Sequence, residues 1–216
     1  MTDREKFDKD GYLFIPKLII DPDNLYAEPP KDDNGLKISG ILKHTSRNKP
    51  EFNPTEQQVN GSYSVYNNPN YRNLHRLIKQ SLQNILNIDL HPTYFFERFY
   101  YAGQELVKHT DRPECEISVT LQVSSNSDES WPIYFMSPDS TTKTVSMKNG
   151  DAVIYKGCDI LHWREPLKSK YSNLQRKWKN FRKVEDDTYH HQVFFHYINA
   201  QGPYVHHAFD YLEQTH

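Results

Sequence analysis

HTDRPECEISVTLQV, residues 109–123, sets a charged pair in front of an alternating run. His109 and Asp111 are separated by one residue. Behind them, Ile117, Val119, Leu121 and Val123 fall on one face of an extended segment, and Ser118, Thr120 and Gln122 on the other. The apolar face must pack against another layer. The polar face meets water or lines a wet cavity, and alternation alone does not separate the two. His109-Thr110-Asp111 is open in the same way. It is a solvated turn before a strand, or it is two ligands of a metal, because first and third side chains of an extended segment project together.

The partner that bears on this choice lies about fifty residues on, in DILHWREP, residues 159–166. There Leu161 and Trp163 share one face, and His162 and Arg164 share the other. Two imidazoles and one carboxylate can occupy one face of an octahedral metal. This arrangement leaves positions open for substrate and oxygen, as in the facial triad of non-haem Fe(II) oxygenases. Ligands this distant in sequence meet only if the sheet curls into a barrel.

The rest of the chain supplies the material for one. Residues 3–10 suit a short helix, and GYLFIPKLII, 11–20, an extended segment, since Pro16 resists a helix interior. Residues 21–62 are rich in Pro, Asn, Asp, Gly and Lys and read as a long irregular region with short strands at most. Asn68 and Pro69 are an N-cap and a first helical residue. Leu74, Ile78, Leu82 and Ile85 then mark one helical face, ending before Pro92. Strands are expected at 93–101, 116–124, 131–136, 143–148, 152–156, 159–164 and 189–199, with a tight turn at Asn149-Gly150. QRKWKNFRKVEDD, 175–187, reads as a solvated excursion between two of them. Many short strands after one helix predict a mainly β fold with flanking helices, a sandwich or barrel. One domain over 1–216 is expected, with 1–92 as support and 93–200 as the core.

RFYYAGQELVKHTDR, then a strand, then NGDAVIYKGCDILHWREPL resembles the Fe(II)- and 2-oxoglutarate-dependent dioxygenases. The shared pattern is a Tyr-x-x-Gly stretch, His-x-Asp, a Gly-Asp turn and a distal His followed by Pro. FDKDGYLFIP also resembles the opening of phytanoyl-CoA-hydroxylase-like members, and the His-x-Asp region has a prolyl-hydroxylase-like character. The resemblance implies a double-stranded β-helix (jelly roll, cupin-like). It implies Fe(II) on His109, Asp111 and His162, and 2-oxoglutarate as cosubstrate. Tyr101 is taken as a hydroxyl contact for that cosubstrate, with a core tyrosine as the alternative. The family's basic anchor for the far carboxylate has no counterpart at the start of the last strand, Tyr189-His190-His191-Gln192. Arg164 is the expected substitute, with His190, Arg182 or Lys183 as alternatives. The aspartate at 111 favours hydroxylation over halogenation, because halogenases keep a small residue there.

The substrate is left as a peptide or protein side chain or a small molecule, with dioxygen. The rival reading is a cupin-like metal- or ligand-binding module without oxygenase activity. His190, His191, His196, His206 and His207 read best as packed or surface histidines, although His190, Gln192 and His196 share a face. Net charge is −2, which is no footprint for nucleic acid. Cys115 and Cys158 are too few for a disulfide framework and read as reduced thiols. No run of 18 apolar residues and no apolar leader is present, so a cytoplasmic protein without membrane partners is expected.

Overall fold

The computed structural model describes residues 1–44, 49–182 and 184–209. Two antiparallel-dominated sheets face each other. Eight strands wind between them in sequence order: β5 (Leu90–Tyr101), β6 (Leu106–His109), β7 (Ile117–Ser125), β8 (Ile133–Met136), β9 (Thr142–Val145), β10 (Ala152–Lys156), β11 (His162–Arg164) and β12 (Tyr189–Asn199). The order β10-β7-β12-β5 forms the heart of the large sheet, and β6-β11-β8-β9 forms the small one. This is the double-stranded β-helix. Apart from the β8–β9 hairpin the chain alternates between sheets, so β6 and β11 become neighbours although many residues separate them.

The large sheet is extended at both edges by strands from the first 66 residues. β1 (Tyr12–Ile15) pairs with β10. β4 (Tyr63–Tyr66) pairs with β5, and β2 (Gly40–Lys43) and β3 (Glu51–Asn53) continue outward from it. The long region 21–62, expected to be irregular with short strands at most, carries two of them, β2 and β3.

The alternation in 117–123 has a definite orientation. Ile117, Val119, Leu121 and Val123 point outward and join the largest core cluster with Phe95, Val193, Phe195 and Tyr197. That face is covered by α1 (Asp3–Asp10) and α2 (Arg72–Leu86). α1 is held by a capping box, Thr2 accepting from Glu5 N while the Glu5 side chain accepts from Thr2 N. α2 buries His75, Ile78, Leu82 and Leu86, while Leu74 and Ile85 lie at the margin. The helical face is thus turned slightly from the expected one. His75 decides this. Its ring packs among Phe95, Phe195 and Tyr197, and its Nε2 donates to the His196 carbonyl at 3.1 Å.

The start of α2 also differs from expectation, while its end falls before Pro92 as expected. Asn68 caps a short 3-10 turn, Pro69–Tyr71, and the α-helix begins only at Arg72. The Asn68 amide is engaged elsewhere, donating to Glu97 at 2.7 Å. Asn87, at φ 49°, stops the helix in the left-handed conformation. Pro92 then lies inside β5, opposite a register shift between Phe195 and Tyr197 of β12, where a missing donor is tolerated. The inner face of the large sheet is the polar one, and Ser118, Thr120, Gln122, His190, Gln192 and His196 are all buried there. Gln192 donates to Gln122 at 2.9 Å across two strands. The main apolar core lies outside the barrel. The barrel interior carries these polar groups on the β7 and β12 side, together with a second apolar cluster that includes Ile133, Phe135, Val153 and Tyr155.

Candidate metal centre

β6 and β11 pair in register with His109 opposite His162. Asp111 follows the end of β6, and its backbone N–H donates to the Gly157 carbonyl at 2.8 Å. Gly157 lets the carboxylate come this close, since a Cβ there would stand 2.6 Å from Asp111 Oδ2. One ligand atom from each of His109, Asp111 and His162 lies within 4.8 Å of the others. Asp111 Oδ1 is 3.4 Å from His109 Nε2 and 3.6 Å from His162 Nε2.

Both rings are oriented in the same way. His109 Nδ1 donates to the Val107 carbonyl at 2.7 Å, and His162 Nδ1 to the Ile160 carbonyl at 3.0 Å. A carbonyl can only accept, so each Nδ1 carries a proton, and in the neutral ring each Nε2 offers a lone pair toward Asp111. The second carboxylate oxygen accepts from Ser118 at 3.0 Å, and the same hydroxyl lies 2.9 Å from His196 Nδ1. Burial opposes ionisation of Asp111. The His109 contact and the neighbouring His162 and His196 outweigh it and hold the carboxyl at about 2. Burial lowers His162, which favours its neutral form. An ionised carboxylate and a neutral imidazole are the ligating states.

Arg164 lies two residues beyond His162 on β11 and is fully buried. Its Nη1 donates to the Trp131 carbonyl, and its guanidinium lies 4.7 Å from the Trp131 ring centre. Its Nε and Nη2 have no hydrogen-bond partner among the described residues, and neither nitrogen of His190 has one. Burial lowers the Arg164 pKa to about 10, against the opposing influence of Tyr100 and Tyr155. His190 is depressed to about 3, by burial and then by the Arg164 charge. A buried cation with two orphaned donors is costly unless an anion completes it. The donors are of the type that pairs with a carboxylate.

A cavity of about 710 Å³ opens over the triad, with Tyr94, Phe96, Tyr100, Tyr155 and Phe194 among its walls. Arg98 also lines it but is already compensated. It pairs with Glu56 at 3.1 Å and donates to Ser64, Gln58 and Tyr100. Gln58 in turn places its amide nitrogen 3.2 Å from His109 Nε2.

The structure thus brings His109, Asp111 and His162 together, with Arg164 two residues from His162. Tyr101 is placed elsewhere. It sits in a separate cluster with Phe99 and Tyr189, its hydroxyl 3.5 Å from the Ile38 carbonyl and Lys37 over its ring. Adjacent residues of a strand face opposite ways, and Tyr100 is the one on the cavity side. The sequence held the signal, because Tyr100 stands three residues before Gly103. His190 is buried beside Trp131 at 5.6 Å between ring centres, Arg182 lies outside the cavity lining on the exposed helix α3 (Asn173–Arg182), and Lys183 lies outside the described residues. Reasoning from sequence missed Gln58, Arg98 and the contacts of His196. An arginine inside the apolar run FFERFYY was the available sign of Arg98. Cys115 is buried, 3.1 Å from the Tyr94 hydroxyl, and Cys158 Sγ donates to the Arg112 carbonyl.

No protein-family model matches the chain, and no curated protein matches it. Solved structures do. A prolyl-4-hydroxylase from Pseudomonas putida is similar at 12% identity and TM-score 0.55, over 89% of this chain and 96% of that one. HygX from Streptomyces hygroscopicus, with nickel and 2-oxoglutarate bound, is similar at 11% identity and TM-score 0.54, over 91% and 86%. A Trichoplax adhaerens prolyl hydroxylase, in complex with a hypoxia inducible factor peptide fragment, is similar at 11% identity and TM-score 0.51, over 93% and 89%. These likenesses establish the fold.

Proposed function

We propose that the protein is a non-haem Fe(II)- and 2-oxoglutarate-dependent oxygenase that hydroxylates a peptide or protein side chain or a small molecule. One observation carries this reading: two histidines and an aspartate converge in the barrel, and a buried arginine with orphaned donors follows two residues after the second histidine. His109 Nε2, His162 Nε2 and an Asp111 oxygen would hold the iron. Arg164 is not itself on the cavity lining; it is buried beside the lining residues Tyr100 and Tyr155, and its orphaned donors are of the type that pairs with the far carboxylate of 2-oxoglutarate. When bound, iron and 2-oxoglutarate supply the oxidising power that lets dioxygen hydroxylate a C–H bond.

The chain's own part is binding and orientation. The Val107 and Ile160 carbonyls fix the imidazole tautomers. Ser118 and Gly157 fix the Asp111 carboxylate. Phe96, Leu106 and Phe194 give the cavity an apolar wall that excludes water from the reacting centre. Asp111 fills the third ligand position, so the reading is hydroxylation. The cavity is larger than a short dicarboxylic acid requires, which leaves room for part of a second substrate.

Anaerobic addition of Fe(II) and 2-oxoglutarate tests the proposal. A visible metal-to-ligand charge-transfer band is expected, and His162→Ala should abolish it. A wild-type protein that binds Fe(II) but gives no band would be a metal-binding module and would overturn the oxygenase reading. With the band in hand, a screen for succinate release across peptides and small molecules would identify the substrate.

A further inference from the structure

No described residue of the excursion between β11 and β12 lines the cavity described above. Its helix α3 has the sequence NLQRKWKNFR, with no acidic residue and no buried one. Leu174, Trp178 and Phe181 are spaced by four and three and fall within roughly 60° of one another around the helix. They are 78%, 57% and 83% exposed, and Val184, just past the helix, is 45% exposed. Scattered single apolar residues on a surface need no explanation, but a stripe of four within eleven residues does.

The charges around the stripe are sorted. Lys177 and Arg182 flank it, and Arg176 and Lys179 lie on the far side of the helix. The acidic run that follows is spent at the base of the excursion. Asp187 takes Lys170 and the Tyr171 hydroxyl, Asp186 Oδ1 accepts from Thr188, and Glu185 pairs with Lys37. Lys37 also donates to the Asp186 carbonyl at 2.6 Å. These contacts tie the two ends of the excursion down, and the helix stands out between them with its apolar edge in water.

We propose that α3 is an interfacial helix that docks on an anionic lipid surface. Charge complementarity chooses this occupant. An apolar edge carrying Trp and Phe and bordered by Lys and Arg enters the headgroup boundary, while long cationic side chains reach the phosphates. No membrane-crossing segment is needed, and among the described residues no helix is long and apolar enough to be one. The expectation of no membrane partner rested on the lack of an 18-residue apolar run and of an apolar leader, and a helix lying in the interface needs neither.

Vesicle co-sedimentation of the full chain tests the inference. Wild-type protein should pellet with phosphatidylcholine vesicles containing about 30% phosphatidylserine, and partition at least about tenfold less onto pure phosphatidylcholine. Leu174→Glu with Phe181→Glu should weaken binding by about tenfold or more, as should Lys177→Glu with Arg182→Glu. These side chains are exposed, so an unchanged circular dichroism spectrum is expected for both variants. Wild-type protein that stays in the supernatant with both vesicle types would overturn the proposal. So would equal binding to both types. Concentration-dependent self-association that the double glutamate variant removes would also overturn it, by assigning the stripe to a second copy of the chain. None of these outcomes depends on the proposed oxygenase chemistry.

Discussion

His109 and His162 are Cα partners across the β6–β11 ladder, and their ring centres lie 4.3 Å apart. Direct register partners present their side chains on the same face of the sheet. A slip of one residue would send one imidazole to the opposite face and dismantle the triad. The geometry of the candidate metal site is therefore a consequence of strand register, which the carbonyl contacts of both Nδ1 atoms refine.

Removing a ligand and removing its support should differ in degree. His162→Ala should abolish measurable Fe(II) or Co(II) binding by titration calorimetry. Ser118→Ala leaves all three ligands but frees Asp111 Oδ2, and should weaken metal affinity by about 10–100-fold. Equal affinity in Ser118→Ala and wild type would show that Gly157 alone positions the carboxylate.

Arg164→Met should separate cosubstrate from metal. Affinity for 2-oxoglutarate should fall by about 2 kcal/mol or more, roughly 30-fold, while metal affinity holds. Because Arg164 Nε and Nη2 are orphaned, the variant should be at least as stable as wild type without cosubstrate. Thermal melts with and without 2-oxoglutarate read both effects. Undiminished cosubstrate affinity would move the anchor to another residue.

The two adjacent tyrosines should behave oppositely. Tyr100→Phe removes a hydroxyl on the cavity side, next to Arg98 Nη1 at 3.1 Å, and should weaken 2-oxoglutarate binding by about 1 kcal/mol, roughly fivefold. Tyr101→Phe should leave that affinity unchanged, because its hydroxyl faces Ile38. Competition binding of the two variants side by side decides it.

Acid should destabilise the fold early. Burial first, then the Arg164 charge, lowers His190 to about 3. Burial also lowers His75 to about 3 and His196 to about 4. The unfolded chain binds these protons from about pH 6.5 downward while the native state does not, so stability falls as pH drops from about 6.5 toward 4. Each histidine contributes up to about 1.4 kcal/mol per pH unit in that window. Denaturant midpoints of His75→Gln should show a shallower dependence, since His75 lies in the apolar core. An unchanged slope would refute the assignment to this residue.

The helix α2 should be purely structural. Leu82 is fully buried against the large sheet, so Leu82→Ala should cost about 2–5 kcal/mol in unfolding free energy and leave metal affinity intact.

Local pattern alone marked most of the strands, though neither β4 nor β6, together with the polar and apolar faces of 117–123, the closeness of His109 to Asp111, and His162 and Arg164 on one face of a strand. These are local properties, because a period of two fixes which side chains point together. Only the tertiary structure decided which face was inside. The polar face of β7 lines the barrel because α1 and α2 cover the apolar one. Only it joined β6 to β11, since winding the chain alternately between two sheets makes neighbours of strands that sequence separates. Which of Tyr100 and Tyr101 faces the cavity, and the uncovered stripe of α3, depended on the same thing. Local pattern shows that a residue faces one way or the other, and packing against the rest of the chain decides what it meets there.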